Sequence, residues 1–403
     1  MTSLDRRTAL KLGAATALTY SFGFWREALA SPAVVGPGPY GALGSPDAYG
    51  VRLPSGFTAR LIGLTGDVVP GTTFAWVGEP DGAATFSTSD GGWVYAANSE
   101  LNGTAGGAAA IRFDRGGRIV DAYRILAGTK YNCAGGATPW GTWLSGEEFR
   151  QGQVWECNPF RPGQGVVRPA MGTFAHEASV VDPATGWVYL TEDYGDGRFY
   201  RFRPRTRGDL SRGVLEAARL DAGGSTVSWV AVSPNSPDRS SSTTAFDRGE
   251  GAWFSDGYVY FSTTGDDKVW AYNTSNRRIE VIYDAGALGA TAPLRDPDNL
   301  TVHPTSGDIF VGEDSDDLQL VLLADGQQNR VAAPFLQLVG HGNGEVGSPG
   351  QDENTVTSSS WSKISEITGL AFSPDGTRLY FSSQRGTDGQ RGMTFEVTGP
   401  FRR

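Results

Sequence analysis

Sulfur and imidazole side chains are scarce in this chain, whose 403 residues include only 2 Cys, 3 His and 3 Met. His176, His303 and His341 show no H-x-x-x-H spacing, and Cys133 and Cys157 make no C-x-x-C, so a zinc site of nitrogen and sulfur ligands has no basis. His303, in the turn HPTSG, reads as a turn residue. A G-x-S-x-G elbow and a Walker-type glycine loop are also missing, which leaves a serine nucleophile or a P-loop without a candidate. The 34 Lys and Arg are scattered and outnumbered by 44 Asp and Glu, for a net charge of -10. Counterion release from a polyanion needs a clustered cationic face, so nucleic acid is not an expected partner. Apolar runs are too short and interrupted for a transmembrane helix, and no stable membrane anchor is expected.

Glycine and aromatic residues are plentiful: 56 Gly, 22 Pro and 11% aromatic side chains favour many short strands joined by turns. One unit recurs, a glycine turn followed by a β-branched and aromatic strand, polar or acidic residues and a further strand. Its six copies are GGWVYAANSE, GTWLSGEEFRQGQVWECNP, TGWVYLTEDYGDGRFYRFRP, DGYVYFSTTGDDKVWAYN, SGDIFVGEDSDDLQLVLL and DGTRLYFSSQRG. Several follow another apolar strand and a proline turn, as in ASVVDPATG, LTVHPTSG and LAFSPDG. This is the grammar of propeller blades, each small sheet burying its faces against its neighbours. The expectation is an all-β fold, a six-bladed β-propeller in a single domain over residues 31–403, acting as a monomer. The copies lie roughly 45 to 70 residues apart, which implies insertions such as NSPDRSSSTTAFDRGEG and HGNGEVGSPGQDENTVTSSS.

The first thirty residues differ from the rest. Arg6 and Arg7 form a twin-arginine start, followed by the weakly apolar LGAATALTYSFGF and a small-residue ending at Ala28, Leu29 and Ala30. Together these read as a cleaved export signal over residues 1–30, taken by the twin-arginine export machinery to a periplasmic or extracellular location. That route carries folded proteins, including some already loaded with cofactors. In an oxidising compartment Cys133 and Cys157 have two open fates. They can close a disulfide across 24 residues, or Cys133 can serve as a metal-binding thiolate.

Acidic pairs recur at equivalent places in four copies: Glu147 with Glu148, Glu192 with Asp193, Asp266 with Asp267, and Glu313 with Asp314. In a propeller, equivalent places lie on a ring around one axis, so the pairs are expected to converge. Converging carboxylates repel, and the remedies are protonation or a bound cation. Oxygen ligands at variable spacing suit Ca2+.

The most specific stretch is NCAGGATPWGTWLSGEE, where small residues beside Cys133 let backbones approach closely. With FAHEASVVDPATGWVYLTED (174–193), the triplet Arg248-Gly249-Glu250 and Asp296-Pro297-Asp298-Asn299, it resembles the signature of the PhoX-type alkaline phosphatases from Asn132 to the C-terminus. The resemblance implies an exported six-bladed propeller that hydrolyses small phosphate esters with an Fe3+ pair, bridged by a cysteine thiolate, and Ca2+. On this basis Cys133 is the bridging thiolate, and Glu177, Glu250 and Asp298 are carboxylates of the cluster. Glu147, Glu148, Glu192, Asp193, Glu313 and Asp314 are candidate calcium ligands, with the inward member of each pair left open. Arg248 grips the substrate phosphate beside Glu250. Asp266 and Asp267 have no counterpart and revert to turn acids. Two departures stand out: Gly249 replaces the family's proline, and Arg295 replaces a tyrosine, placing a further cation in the catalytic set. A non-catalytic calcium-stabilised binding propeller and a calcium-dependent lactonase-type hydrolase are the alternatives. Neither needs a thiolate, and iron bound together with calcium separates them from the phosphatase.

Overall fold

A computed structural model of the chain describes residues 32–341 and 365–403, apart from 236, 238, 241, 315–316 and 326–329. The export signal expected over 1–30 lies outside the described residues, as does most of the loop beginning at His341.

Six sheets, antiparallel except where the short strand Val34–Val35 joins Arg330–Leu338 in parallel, are arranged around one axis. Their innermost strands are, in chain order, Pro80–Ser87, Asn132–Ala137, His176–Val181, Gly249–Ser255, Pro297–Val302 and Ile367–Phe372. Each packs against the next, and the sixth returns to the first. The six repeat copies read from the sequence become the second strands: Trp93–Ser99, Trp143–Glu147, Val188–Glu192, Tyr258–Thr263, Ile309–Glu313 and Arg378–Ser383. The ring closes because the last sheet takes its outer strand from the chain's beginning. Thr58–Leu64 pairs with Met393–Thr398, with Leu61 opposite Phe395, and Trp76 donates from Nε1 to Thr394 Oγ1 at 2.8 Å.

Both faces of each sheet are covered, so the strands are apolar along most of their length rather than alternating. Between the third and fourth blades Tyr189, Phe199, Trp229, Phe261 and Tyr272 meet ring to ring. Between the fifth and sixth, Phe310, Phe335, Phe372 and Phe401 form edge-on contacts. Each such ring contributes about 1.5–3 kcal/mol by leaving water. Nearer the axis the blades converge, and the side chains shrink. A Cβ added to Gly82 would lie 2.5 Å from Ala134 Cα, one on Gly136 2.0 Å from Ser179 O, and one on Gly251 2.7 Å from Asn299 Cα. Glycine is what allows adjacent backbones to touch there.

Gly136→Ala is therefore expected to wedge the second and third blades apart. It should cost about 1–3 kcal/mol, as overpacked cores do, read as a lowered unfolding midpoint. An unchanged midpoint would show that the ring tolerates expansion at this contact.

Candidate metal centre

One local geometry repeats on all six inner strands. The pairing with the second strand slips just after the strand begins, at Pro80/Ala83, Asn132/Gly135, His176/Ser179, Gly249/Ala252, Pro297/Leu300 and Thr368/Ala371. Such bulges re-aim side chains. The residues at the slip are Asp81, Cys133, Glu177, Glu250, Asp298 and Thr368, all buried. Five of the six carry an acid or a thiol.

The backbone around these positions is tied down in a repeated way. Two residues before the donor, Glu79, Tyr131, Arg248 and Asp296 adopt left-handed conformations, with φ of 41°, 48°, 53° and 41°. Their carbonyls, and that of Glu366, accept from the N–H of Glu100, Glu148, Thr264, Asp314 and Gln384, respectively, at 2.7–3.1 Å. Each of those residues follows the end of a second strand, so the bond sets it beside the donor of its own blade. The donors' carbonyls are held by the preceding blade: Asn98 Nδ2 donates to Cys133 O at 3.1 Å, Thr191 to Glu250 O, and Ser262 Oγ to Asp298 O at 2.5 Å. At Gly146 and Gly312, in the equivalent places, the next blade's carbonyl comes too close for any side chain.

This register decides which member of each acidic pair turns inward. Glu147, Glu192 and Glu313 point back into their own blades. Glu147 accepts from the backbone of Lys130 and Gln153, both at 3.3 Å. Glu192 accepts from Arg198 N at 3.0 Å and Tyr200 OH at 2.8 Å and pairs with Arg239. Glu313 accepts from Arg295 N at 3.0 Å and Gln319 N at 2.7 Å. These three hold loops. Their partners Glu148, Asp193 and Asp314 reach the axial groups: Glu148 shares a potential metal position, Asp193 grips Arg248, and Asp314 lies close enough to Glu366, Arg248 and Asp298 to feel their charges. Asp266 pairs with Lys268 at 2.8 Å, and Asp267 accepts from Asp296 N at 2.7 Å, as befits turn acids.

Three groups of donor atoms lie within 4.8 Å of one another: Asp81, Glu100 and Cys133; Cys133, Glu148 and Glu177; and Glu177, Glu250 and Asp298. They form a chain, with the thiol common to the first two groups and Glu177 to the last two. Burial, reinforced by neighbouring acids, raises the pKa of Asp81, Glu100, Glu177 and Glu250, and that of Asp298 is pushed up to about 7. The Cys133 thiol is raised by burial and then by Asp81, 3.4 Å away, and Glu177. A cation would reverse these directions by replacing lost hydration with charge. Glu177 Oε1 is buried with no hydrogen-bond partner, an orphan acceptor at the link between two groups. The donor set therefore fits hard cations next to a thiolate.

Cations of the chain's own stand on two sides. Arg248 forks onto Asp193 with bonds of 2.8 and 2.9 Å and reaches Glu250 at 3.0 Å; these carboxylates hold it firmly protonated. Arg385, Asp81, Glu100, Glu79 and Glu366 were not anticipated from the sequence. Aligning the six inner-strand starts, PDG, NCA, HEA, GEG, PDN and ITG, would have exposed Asp81. Arg295 is not among the convergent groups. Its Nη2 donates to Gly289 O at 2.8 Å, and its Nη1 lies 3.8 Å from Asp267. Both cysteines are buried and free, so the disulfide alternative does not hold: Cys133 is on the innermost strand, and Cys157 lies two strands further out, in Val154–Cys157. His303 keeps its turn role, accepting from the backbone N–H of Thr305 and Ser306, and its Nε2 lies 2.9 Å from Gly376 O.

Among solved structures, the chain is similar to PhoX from Pseudomonas fluorescens in complex with vanadate, a transition state analogue. The TM-score is 0.67 at 17% identity, covering 87% of this chain and 96% of that one. This likeness bears out the six-bladed propeller. A gluconolactonase from Xanthomonas campestris is a more distant match, with a TM-score of 0.47 at 13% identity over 90% of this chain and 99% of the other. A search of curated protein sequences gave no match. The family model described as alkaline phosphatase PhoX matches residues 93–386, well over half of the sequence, and the chain belongs to that family.

Proposed function

We propose that this protein is an exported phosphoric monoester hydrolase whose axial site binds iron and calcium and cleaves small phosphate esters. The observation that carries this reading is the buried Cys133 thiol, common to the Asp81/Glu100 and Glu148/Glu177 groups. A binding propeller or a calcium-dependent lactonase has no use for a thiolate between two cation positions, whereas Fe3+ accepts such a ligand alongside carboxylates. Asp81, Glu100, Cys133, Glu148, Glu177, Glu250 and Asp298 would hold the ions. When bound, these would supply Lewis acidity toward the phosphoryl oxygens and the nucleophile.

The remaining work falls to the chain. Arg248 stays charged, and its planar guanidinium matches the oxygens of a phosphate. Asp193 and Glu250 fix it in orientation before substrate arrives, so little reorganisation is needed as charge develops. The side chain keeps 36% exposure, which leaves it accessible to an incoming ester. Arg295, 38% exposed and tethered to Gly289 and Asp267, is a further cation outside the metal groups, suited to an anionic outer part of the substrate. Glu147, Glu192 and Glu313 hold the loops around the site. The twin-arginine start over residues 1–30 accords with export, after metal loading, to a periplasmic or extracellular location, with the propeller of residues 31–403 as a monomer. No helix of the described residues is long and apolar enough to cross a membrane.

Cys133→Ala in natively exported protein is expected to lose iron, together with its visible thiolate-to-iron absorption, and to lower phosphatase activity at least about 100-fold. Full activity with iron retained would overturn the assignment, and calcium without iron in the wild type would favour the lactonase or binding propeller. Arg248→Lys keeps the charge but loses the fork; kcat/KM should fall by about 10²–10³-fold, with inhibition by inorganic phosphate weakened alongside. Unaltered phosphate inhibition would remove Arg248 from the substrate site. Stripping metal with a chelator should lower the unfolding temperature and adding calcium should restore it, because ions that bind only the folded ring stabilise it. A temperature indifferent to chelation would mean that protons alone neutralise the acids.

A further inference from the structure

The sixth blade breaks the pattern of the other five. At the inner-strand slip it offers Thr368, and beside it, where four other blades place Glu100, Glu148, Asp193 and Asp314 and the fourth blade places Thr264, it offers Gln384. The next residue, Arg385, is buried, with its side chain 10% exposed. Its Nη1 is 2.6 Å from Glu366 Oε1, and its Nη2 is 3.5 Å from Glu79 Oε2 and 3.8 Å from Glu100 Oε2. Three carboxylates from three segments thus surround one positive centre. Gln384 completes the arrangement, since its Nε2 donates to Asp81 Oδ2 at 2.6 Å and to Glu100 Oε2 at 2.9 Å. Asp81 and Glu100 are the two carboxylates that share a potential metal position with Cys133.

We propose that Arg385 is a built-in counter-cation: it stands among Glu79, Glu100 and Glu366 where a divalent ion would otherwise be required, and by holding Glu100 it sets the geometry of the position formed by Asp81, Glu100 and Cys133. It is a positioning residue, acting through Glu100, and the inference rests on the metal-binding reading above. Arginine keeps its charge at any ordinary pH, and three carboxylates face it. A guanidinium suits the task better than an ammonium, because its planar fork presents several donors in fixed directions to more than one carboxylate. Unlike an ion, it cannot be lost to chelation. This sector of the ring therefore has part of its negative charge compensated before any metal is loaded, and Glu100 stays aimed at its ligand position.

The test compares full-length, natively exported wild type with Arg385→Met, which keeps bulk but removes charge, and Arg385→Lys, which keeps charge but removes the fork. Bound iron and calcium are counted by elemental analysis, and calcium affinity is measured by calorimetry. Arg385→Met is expected to bind one additional calcium per chain. Arg385→Lys is expected to keep the wild-type count and to bind ions at the Asp81/Glu100/Cys133 position about 10-fold more weakly, as loss of an orienting partner does. Wild-type count and affinity in Arg385→Met would overturn the proposal. Should that variant fail to fold, wild-type affinity in folded Arg385→Lys would overturn it equally. Metal bound by the wild type but unaffected by either substitution sinks this inference alone; a wild type that binds no metal sinks the metal reading as well.

Discussion

Mutual repulsion among carboxylates that the fold forces together around one axis is the constraint on which the rest of this structure depends. Six inner strands slip at the same point of their pairing, and each blade adds a residue from the end of its second strand, so equivalent positions converge whatever occupies them. Here they are occupied by Asp81, Glu100, Glu148, Glu177, Asp193, Glu250, Asp298 and Asp314. Buried acids at such range cannot all ionise without compensation. The raised pKa values of Asp81, Glu100, Glu177, Glu250, Asp298 and Asp314 express that conflict, and the functional reading follows from asking what resolves it.

The backbone gives the acids little freedom to move apart. Left-handed residues before four of the donors are unfavourable for side chains with a Cβ, at about 1–2 kcal/mol each. Those conformations persist because the surrounding hydrogen bonds over-determine them: the entry residue's carbonyl is bound within its blade, and the donor's own carbonyl is bound by Asn98, Thr191 or Ser262 of the blade before. Strain held in place at a cluster of titratable groups is a common mark of a functional site. The glycines at the inter-blade contacts belong to the same device. They allow the inner strands to close tightly enough that donors from three blades meet.

The blades were legible in the sequence because each second strand carries its own local signature of glycine turn, aromatic strand and polar end. Cys133, Glu177, Glu250 and Asp298 were legible through motif resemblance. Asp81 was not, because it precedes the first visible copy and its neighbours PDG look like an ordinary turn. The direction of the acidic pairs could not be read either. Glu192 and Asp193 are adjacent acids of similar chemistry, and only the bulge register turns one toward Tyr200 and the other toward Arg248. Arg385 was hidden for a related reason: it comes from the sixth blade, whose acids are sparse, and its partners Glu79, Glu100 and Glu366 are distant in sequence. Charge compensation is a property of the closed ring and leaves no local pattern.

Two guanidinium groups divide that ring unequally. Arg248 compensates Asp193 and Glu250 on the side of the third and fourth blades, and Arg385 compensates Glu79, Glu100 and Glu366 where the sixth blade meets the first. Between them lie Asp81, Cys133 and Glu177, with Asp81 Oδ2 3.4 Å from the thiol and held by Gln384 rather than by a cation. Glu177 even retains a buried oxygen without a partner. That orphan oxygen lies in the sector that contains the thiol. On the proposed reading the chain divides the work: arginine supplies permanent charge on both flanks, and exchangeable ions would serve where a bound phosphate meets a Lewis acid.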